Sequence, residues 1–159
     1  MHDSSPDPVA LVRSYAEAKS RADIDAALAL CRDDVVFETI PFQAVARGVA
    51  DARRQFVVFF RAFPDYDVEV DDVVAKDEKV VVTGTIRATM LGALVDVGPT
   101  DRRYELPFMG LWWVDDGAIL RERLFFDLNQ MCEQLGVSTE LVAGRLRASR
   151  RLAERGAGS

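Results

Sequence analysis

The reading of residues 66–127 decides the fold: YDVEVDDVVAKDEKVVVTGTIRATM runs from 66 to 90, LGALVDVGPTDRR from 91 to 103, and YELPFMGLWWVDDGAILRERLFFD from 104 to 127. Tyr66 to Val74 alternates apolar with acidic residues, Val68 and Val70 against Glu69 and Asp71, which is strand periodicity. Lys76-Asp77-Glu78 reads as a tight turn, and Lys79 to Met90 as a long strand. Its residues Val80, Val82, Ile86 and Met90 alternate with polar neighbours and are assigned to an apolar outer face of the sheet. Gly92 to Asp101 is a Gly-, Pro- and Asp-rich connection. Tyr104 to Val114 is a further strand, Asp115-Asp116-Gly117 a hairpin turn, and Ile119 to Asp127 the last strand.

Upstream, the period changes from two to 3.6. Asp7-Pro8 marks a helix start, and Leu11, Val12, Tyr15 and Ala18 share one face of the helix that follows. Asp23 caps a short second helix with Ile24, Ala27, Leu28 and Cys31 on one face. Val35 to Ile40 reads as a strand stopped by Pro41, and a loop follows to Gly48. Ala52, Phe56, Phe59, Phe60 and Phe63 define a third helix, closed by Pro64. Leu128 to Gly136 reads as a short closing helix. The order is helix, helix, strand, helix, then four antiparallel strands. This segregation predicts an α+β domain with helices over one side of a curved sheet. The domain spans 1–137, and 138–159 is a basic helical tail with five arginines against two glutamates. That tail has a sparse stripe of Leu141, Leu146 and Leu152 and is expected to be solvated, the alternative being a basic helix that packs on an acidic face of a partner subunit.

The chain has 159 residues, 49% hydrophobic and 29% charged, which suits one domain with a sizeable core. A net charge of −6 argues against a nucleic-acid surface. Cys31 and Cys132 lie far apart in sequence and form no CxxC pair, so they read as core residues in a reducing compartment, with a disulfide between them the less favoured alternative. No apolar run approaches the ~20 residues a membrane span needs, and Met1 to Pro8 lacks the apolar stretch of a signal peptide. A cytoplasmic protein with no membrane partner is expected. The single histidine, His2, stands in the polar N-terminal segment. That excludes Ser-His-Asp and Cys-His devices and any multi-histidine metal site in the fold, and no metal is expected.

Three stretches carry a family resemblance: Ala62-Phe63-Pro64-Asp65-Tyr66, Val80-Val81-Val82-Thr83-Gly84-Thr85, and Gly98-Pro99-Thr100-Asp101-Arg102. Together with Val114-Asp115-Asp116-Gly117, Phe126-Asp127 and Gln134-Leu135-Gly136, they resemble the SnoaL-like polyketide cyclases of the nuclear transport factor 2-like (NTF2-like) superfamily. The likeness runs from about Val9 to Val137. It implies a cone-shaped fold in which a curved antiparallel sheet and N-terminal helices enclose a pocket. Phe125-Phe126-Asp127-Leu128 is also similar to a segment of the limonene-epoxide hydrolases. The superfamily holds hydrolases, isomerases, cyclases and binding modules, so activity has to be argued from the site.

Asp127 is the first catalytic candidate. On strand alternation it shares a face with Phe125, and the resemblance implies that this face lines the cavity. A carboxylate among aromatics loses hydration and can exchange a proton near neutral pH; in the cyclases a similar aspartate is the general acid/base. The competing role is a cap for the helix starting near Leu128. Arg87 and Arg123 are candidates to steady a developing oxyanion, with Arg87 able to pair with Asp127 if it points inward. Arg121 and Arg123 share the Phe125 face, either making the pocket polar or forming an interface ladder with Glu122 turned the other way. Phe37, Thr39, Phe59, Phe63, Thr85, Trp112 and Phe125 are the expected substrate-binding residues. Trp112 and Trp113 must face opposite sides of the sheet. Glu38 reads as exposed.

The sequence departs from both patterns. Thr85 and Arg87 occupy the strand positions of the hydrolases' Arg-x-Asp pair, so the second acid is missing. Phe37 and Thr39 replace the water-positioning residues, and Gly84-Thr85-Ile86 lacks the cyclases' frequent histidine. The leading expectation is a cofactor-independent acid/base enzyme of cyclase or isomerase type for a small apolar polyketide- or terpenoid-like ligand. The alternatives are a non-catalytic binding module and an epoxide hydrolase with a non-standard site. A homodimer is expected from the outward tryptophan.

Overall fold

The computed structural model describes residues 5–158; His2 and Ser159 lie outside them. The chain folds as α1 (Pro8–Ser20), α2 (Ile24–Ala29), β1 (Cys31–Thr39), a 3-10 turn (Ile40–Phe42), β2 (Ala44–Arg47), α3 (Val49–Ala62), β3 (Asp67–Lys76), β4 (Lys79–Thr89), β5 (Arg103–Asp115), β6 (Ala118–Phe125), α4 (Leu128–Leu135) and α5 (Thr139–Gly156). Local chemistry fixes the starts. The Asp7 carboxylate accepts from Val9 N at 3.3 Å with Pro8 in the first turn, and Asp23 accepts from Ala26 N at 3.0 Å. Cys31 opens β1 rather than closing α2, and the stretch before Gly48, expected as loop, contains the short edge strand β2.

One six-stranded sheet has the order β2-β1-β6-β5-β4-β3. Only the β1–β6 pair is parallel. Register shifts at Cys31/Val36, Val70/Asp72 and Trp113/Val114 bend the strands, because an extra residue on one strand increases local twist. The sheet curves without closing. Helix α1 packs on β3, β4 and β6, α3 on β1 and β2, and α4 on β5. Two glycines on the concave face are steric necessities. A Cβ at Gly84 would lie 1.9 Å from the Glu69 carbonyl oxygen, and one at Gly110 would lie 2.1 Å from the Trp112 indole. Among the described residues, no helix is long and apolar enough to cross a membrane.

The two sheet faces are the reverse of the sequence assignment on β4. Val80, Val82, Ile86 and Met90 are at most 2% exposed and form the inner, helix-covered face. Alternation separates two faces without saying which one the helices cover. Thr85 and Arg87 therefore lie on the outer face, where Arg87 joins Glu69 at 2.7 Å and Glu105 at 3.2 Å. The outer face also carries Trp113, Met109, Phe125 and Val45. The tail differs too. Helix α5 folds back on the domain, with Val142 fully buried, Leu146 packed on the core and Arg150 Nη1 donating to Gln43 Oε1 at 3.1 Å.

Candidate functional site

The concave face and helices α1 and α3 enclose two chambers that share Lys19, Tyr66, Glu122 and Leu124. The first, inner chamber reaches Val12, Tyr15 and Trp112 and has a cavity volume of about 20 Å³, room for about one water. The second, outer chamber is walled by Phe37, Phe56, Phe59 and Phe126 and has a cavity volume of about 100 Å³. On the other side of Phe42 and Phe59 lies a vestibule of about 360 Å³, lined in part by Leu146, Ser149, Arg150 and Ala153 of α5.

The polar side chains common to both chambers, Lys19, Tyr66 and Glu122, stand at their junction. Glu122 is 4% exposed, and its Oε2 accepts from the Trp112 indole Nε1 at 2.9 Å. Cross-strand pairing brings the two together, since Trp112 and Glu122 are direct partners in the β5–β6 register. Lys19 comes from the last turn of α1. It is half-buried, and its amine is the sunken part, 4.7 Å from the Phe56 ring centre, 5.5 Å from Tyr66 and 5.7 Å from Tyr15. Loss of hydration pushes its pKa down, and the charge of Glu122 opposes that shift. The Tyr15 hydroxyl is buried close to the Glu122 carboxylate without a well-formed hydrogen bond. Burial first, and Glu122 second, raise the pKa of Tyr15 and of Tyr66. Burial and Glu122 also push the Cys31 thiol up to about 12, so it is no nucleophile near neutral pH. A carboxylate, an amine and a hydroxyl thus meet inside an aromatic wall. That set can accept a proton, donate one, or hold a carbonyl oxygen.

The residues expected from sequence divide. Phe37, Thr39 and Phe59 line the outer chamber, and Trp112 the inner. Phe63 is fully buried between Phe59 and Tyr104 and belongs to the core. The three catalytic candidates stand elsewhere. Asp127 is exposed beyond the end of β6 and accepts from Gln130 N at 3.0 Å, capping α4. Arg87 is held on the outer face by its acidic neighbours, with no contact to Asp127. Arg123 lies outside as well, 3.3 Å from Glu38 and over the Trp113 ring. Thr85 and Phe125 share that outer side. Arg121, Arg123 and Phe125 do share a face, but it is the convex one, and Glu122, Leu124 and Phe126 take the cavity. Glu38 is also on the convex face, only 15% exposed and paired with Arg121 and Arg123.

The sequence profile of the SnoaL-like polyketide cyclases matches residues 9–135. The chain belongs to the SnoaL-like polyketide cyclase family. Solved structures agree on the fold. A SnoaL-like protein from Jannaschia sp. CCS1 superposes with a TM-score of 0.75 at 21% identity, covering 87% of this chain and 99% of that one. A protein of ketosteroid isomerase-like fold from Catenulispora acidiphila, solved with trimethylamine, gives 0.73 at 14% identity over 86% and 98%. TerC, co-crystallised with polyporic acid, gives 0.70 at 17% identity over 81% and 98%. The fold is NTF2-like, and the family supports a small-molecule, cyclase-type role. No curated protein matches the chain. Within this SnoaL-like frame, Glu122 and Lys19 were missed from sequence. The signal for Glu122 was its place between two arginines of one face; that for Lys19 was its spacing of four from the buried Tyr15.

Proposed function

We propose that this chain is a cofactor-independent acid/base enzyme of cyclase or isomerase type, acting on a small polyketide- or terpenoid-like carbonyl compound. Glu122 is the proton-transfer group in this reading, and Asp127 is a helix cap. The observation that carries it is the burial of Glu122 at the junction of two aromatic chambers, with a single indole donor on one oxygen. The carboxylate lines both chambers beside the Tyr15 hydroxyl, where water is scarce, which suits abstraction of a proton next to a ligand carbonyl. The same proposal has the chain work in the cytoplasm as a homodimer built on the convex face. Two free thiols, Cys31 and Cys132, and the outward Trp113 support those parts.

The test is hydrogen–deuterium exchange at the α-carbon of 1-tetralone, followed by NMR in D2O. Protein is expected to speed exchange, and Glu122→Gln to reduce that acceleration by ~10²–10⁴-fold, the usual contribution of a general base. Asp127→Asn is expected to stay within a few-fold of the parent. Equal exchange with parent and Glu122→Gln, or a large loss with Asp127→Asn, overturns the assignment.

A further inference from the structure

We propose that Lys19 is a second chemical group of this cavity, an amine that forms an imine with a ligand aldehyde or ketone. The idea rests on the cavity being the ligand site, as above, and adds a covalent role that Glu122 cannot perform.

The placement of the amine carries it. The chain has twenty Lys and Arg residues, of which only Lys19, Lys76 and Lys79 are lysines. Lys76 and Lys79 are exposed at the ends of β3 and β4. Lys19 lines both chambers. An arginine at the same place would serve equally well to hold an anion, but it could not lose its proton or become a nucleophile. The Lys19 amine sits within 5.7 Å of three ring centres and, among the described residues, forms no salt bridge. Such desolvation favours the neutral amine, whose lone pair is the nucleophile. The titratable groups facing it are Glu122, Tyr15, Tyr66 and Cys31, and burial dominates the opposing charge of Glu122.

The step balances without an oxidant. The amine lone pair forms a C–N bond to the carbonyl carbon, and the C=O electrons move to oxygen, which takes up a proton. Nitrogen gives up one proton, giving a neutral carbinolamine. The hydroxyl takes a second proton and leaves as water while nitrogen forms the C=N bond and gives up its remaining proton. Glu122 can carry protons between nitrogen and oxygen, and the Tyr15 hydroxyl beside it can donate to the oxygen. One amine and one carbonyl yield one imine and one water.

Benzaldehyde tests this, because it has no α-hydrogen and reports imine formation without proton abstraction at carbon. The full chain is incubated with benzaldehyde and cyanoborohydride, digested, and read by mass spectrometry. The benzyl adduct is expected at Lys19 ahead of Lys76 and Lys79, with loss of that adduct in Lys19→Arg. Labelling of Lys76 and Lys79 with Lys19 unmodified, or labelling of all three at one rate, overturns the proposal. That comparison is internal to the parent chain, so it stands even if the variant folds poorly. Tetralone exchange in Glu122→Gln reads the base separately. Lys19 labelling with unaltered exchange in Glu122→Gln keeps the amine and removes the base, and the opposite result does the reverse.

Discussion

Trp112 and Glu122 face each other across the β5–β6 ladder, and the indole N–H of the first donates to the carboxylate of the second at 2.9 Å with both residues 4% exposed. Gly110 makes the geometry possible, since any side chain there would collide with the indole. Trp112→Phe keeps a ring but removes the donor. Leaving one partner of a buried bond unsatisfied costs about 1–3 kcal/mol, so a loss of that size is expected in urea unfolding. Trp112→Phe, Glu122→Leu removes both partners and is expected to recover part of it. A single variant as stable as the parent would mean that the bond holds nothing in place.

The helices and most of the strands were legible in the sequence because their apolar periods are clean. The face assignments were not. In Arg121-Glu122-Arg123 both alternating sets are charged, so hydropathy does not say which side is inside, and the register shift at Trp113/Val114 breaks the period just upstream. The convex arginines are satisfied by Glu38, a contact between residues 83 and 85 positions apart that no local pattern reveals. Asp127 carried a cap signature, an aspartate three residues before its donor, and that local reading describes its place. Lys19 was hidden by its type, because a lysine in a last helical turn ordinarily points to solvent and favours the helix dipole.

Lys19 also makes stability depend on pH. Its folded pKa is lowered by desolvation, so the unfolded chain binds the proton more tightly. The folded state is therefore penalised wherever the amine is protonated. That penalty is fully present below the lowered folded value and fades as pH rises towards the ordinary lysine value of 10.5. Lys19→Met is expected to be more stable than the parent at pH about 7, with the gap narrowing at pH about 10 as the lysine's burden is lifted. Paired urea titrations at the two pH values measure it. A variant less stable at neutral pH, or a gap independent of pH, contradicts the account.

The convex face carries the dimer proposal. Arg121 and Arg123 stack over Trp113 at 5.2 and 5.6 Å and close on Glu38. Exposed Met109, Phe125 and Val45 widen the apolar part of this surface. Burial raises the Glu38 carboxyl, but the hydrogen bonds and charges of the two arginines outweigh it and hold the pKa below the ordinary value. The cluster thus stabilises the folded chain above the ordinary carboxyl range and weakens as pH falls through the lowered folded value. Light scattering at micromolar concentration is expected to give a dimer mass for the parent and a monomer mass for Trp113→Glu. A monomeric parent would remove the proposal.

The last prediction concerns α5, which the sequence suggested was a solvated appendage. Its first turns are tied down: Ser138 caps the helix through Leu141 N at 3.2 Å, Val142 is fully buried, and Thr139 donates to Asn129 at 2.8 Å. Its later turns cover the vestibule with Ser149, Arg150 and Ala153. The two halves are separable. Removing 148–159 leaves Val142 and Leu146 in place, so stability is expected to stay within about 1 kcal/mol of the parent. It also removes the roof, and 1-tetralone or benzaldehyde is expected to enter faster. Removing 138–159 exposes the ground under Val142, and burying such a side chain is worth about 1.5–3 kcal/mol. The domain is expected to remain folded, since the sheet and helices α1 to α3 make no use of α5 for their own pairing, but to melt lower by about 5 °C or more. Calorimetry of the two truncations beside the parent separates the roles. Equal melting of all three would make α5 a passenger, and loss of cooperative unfolding in the longer truncation would make it part of the core.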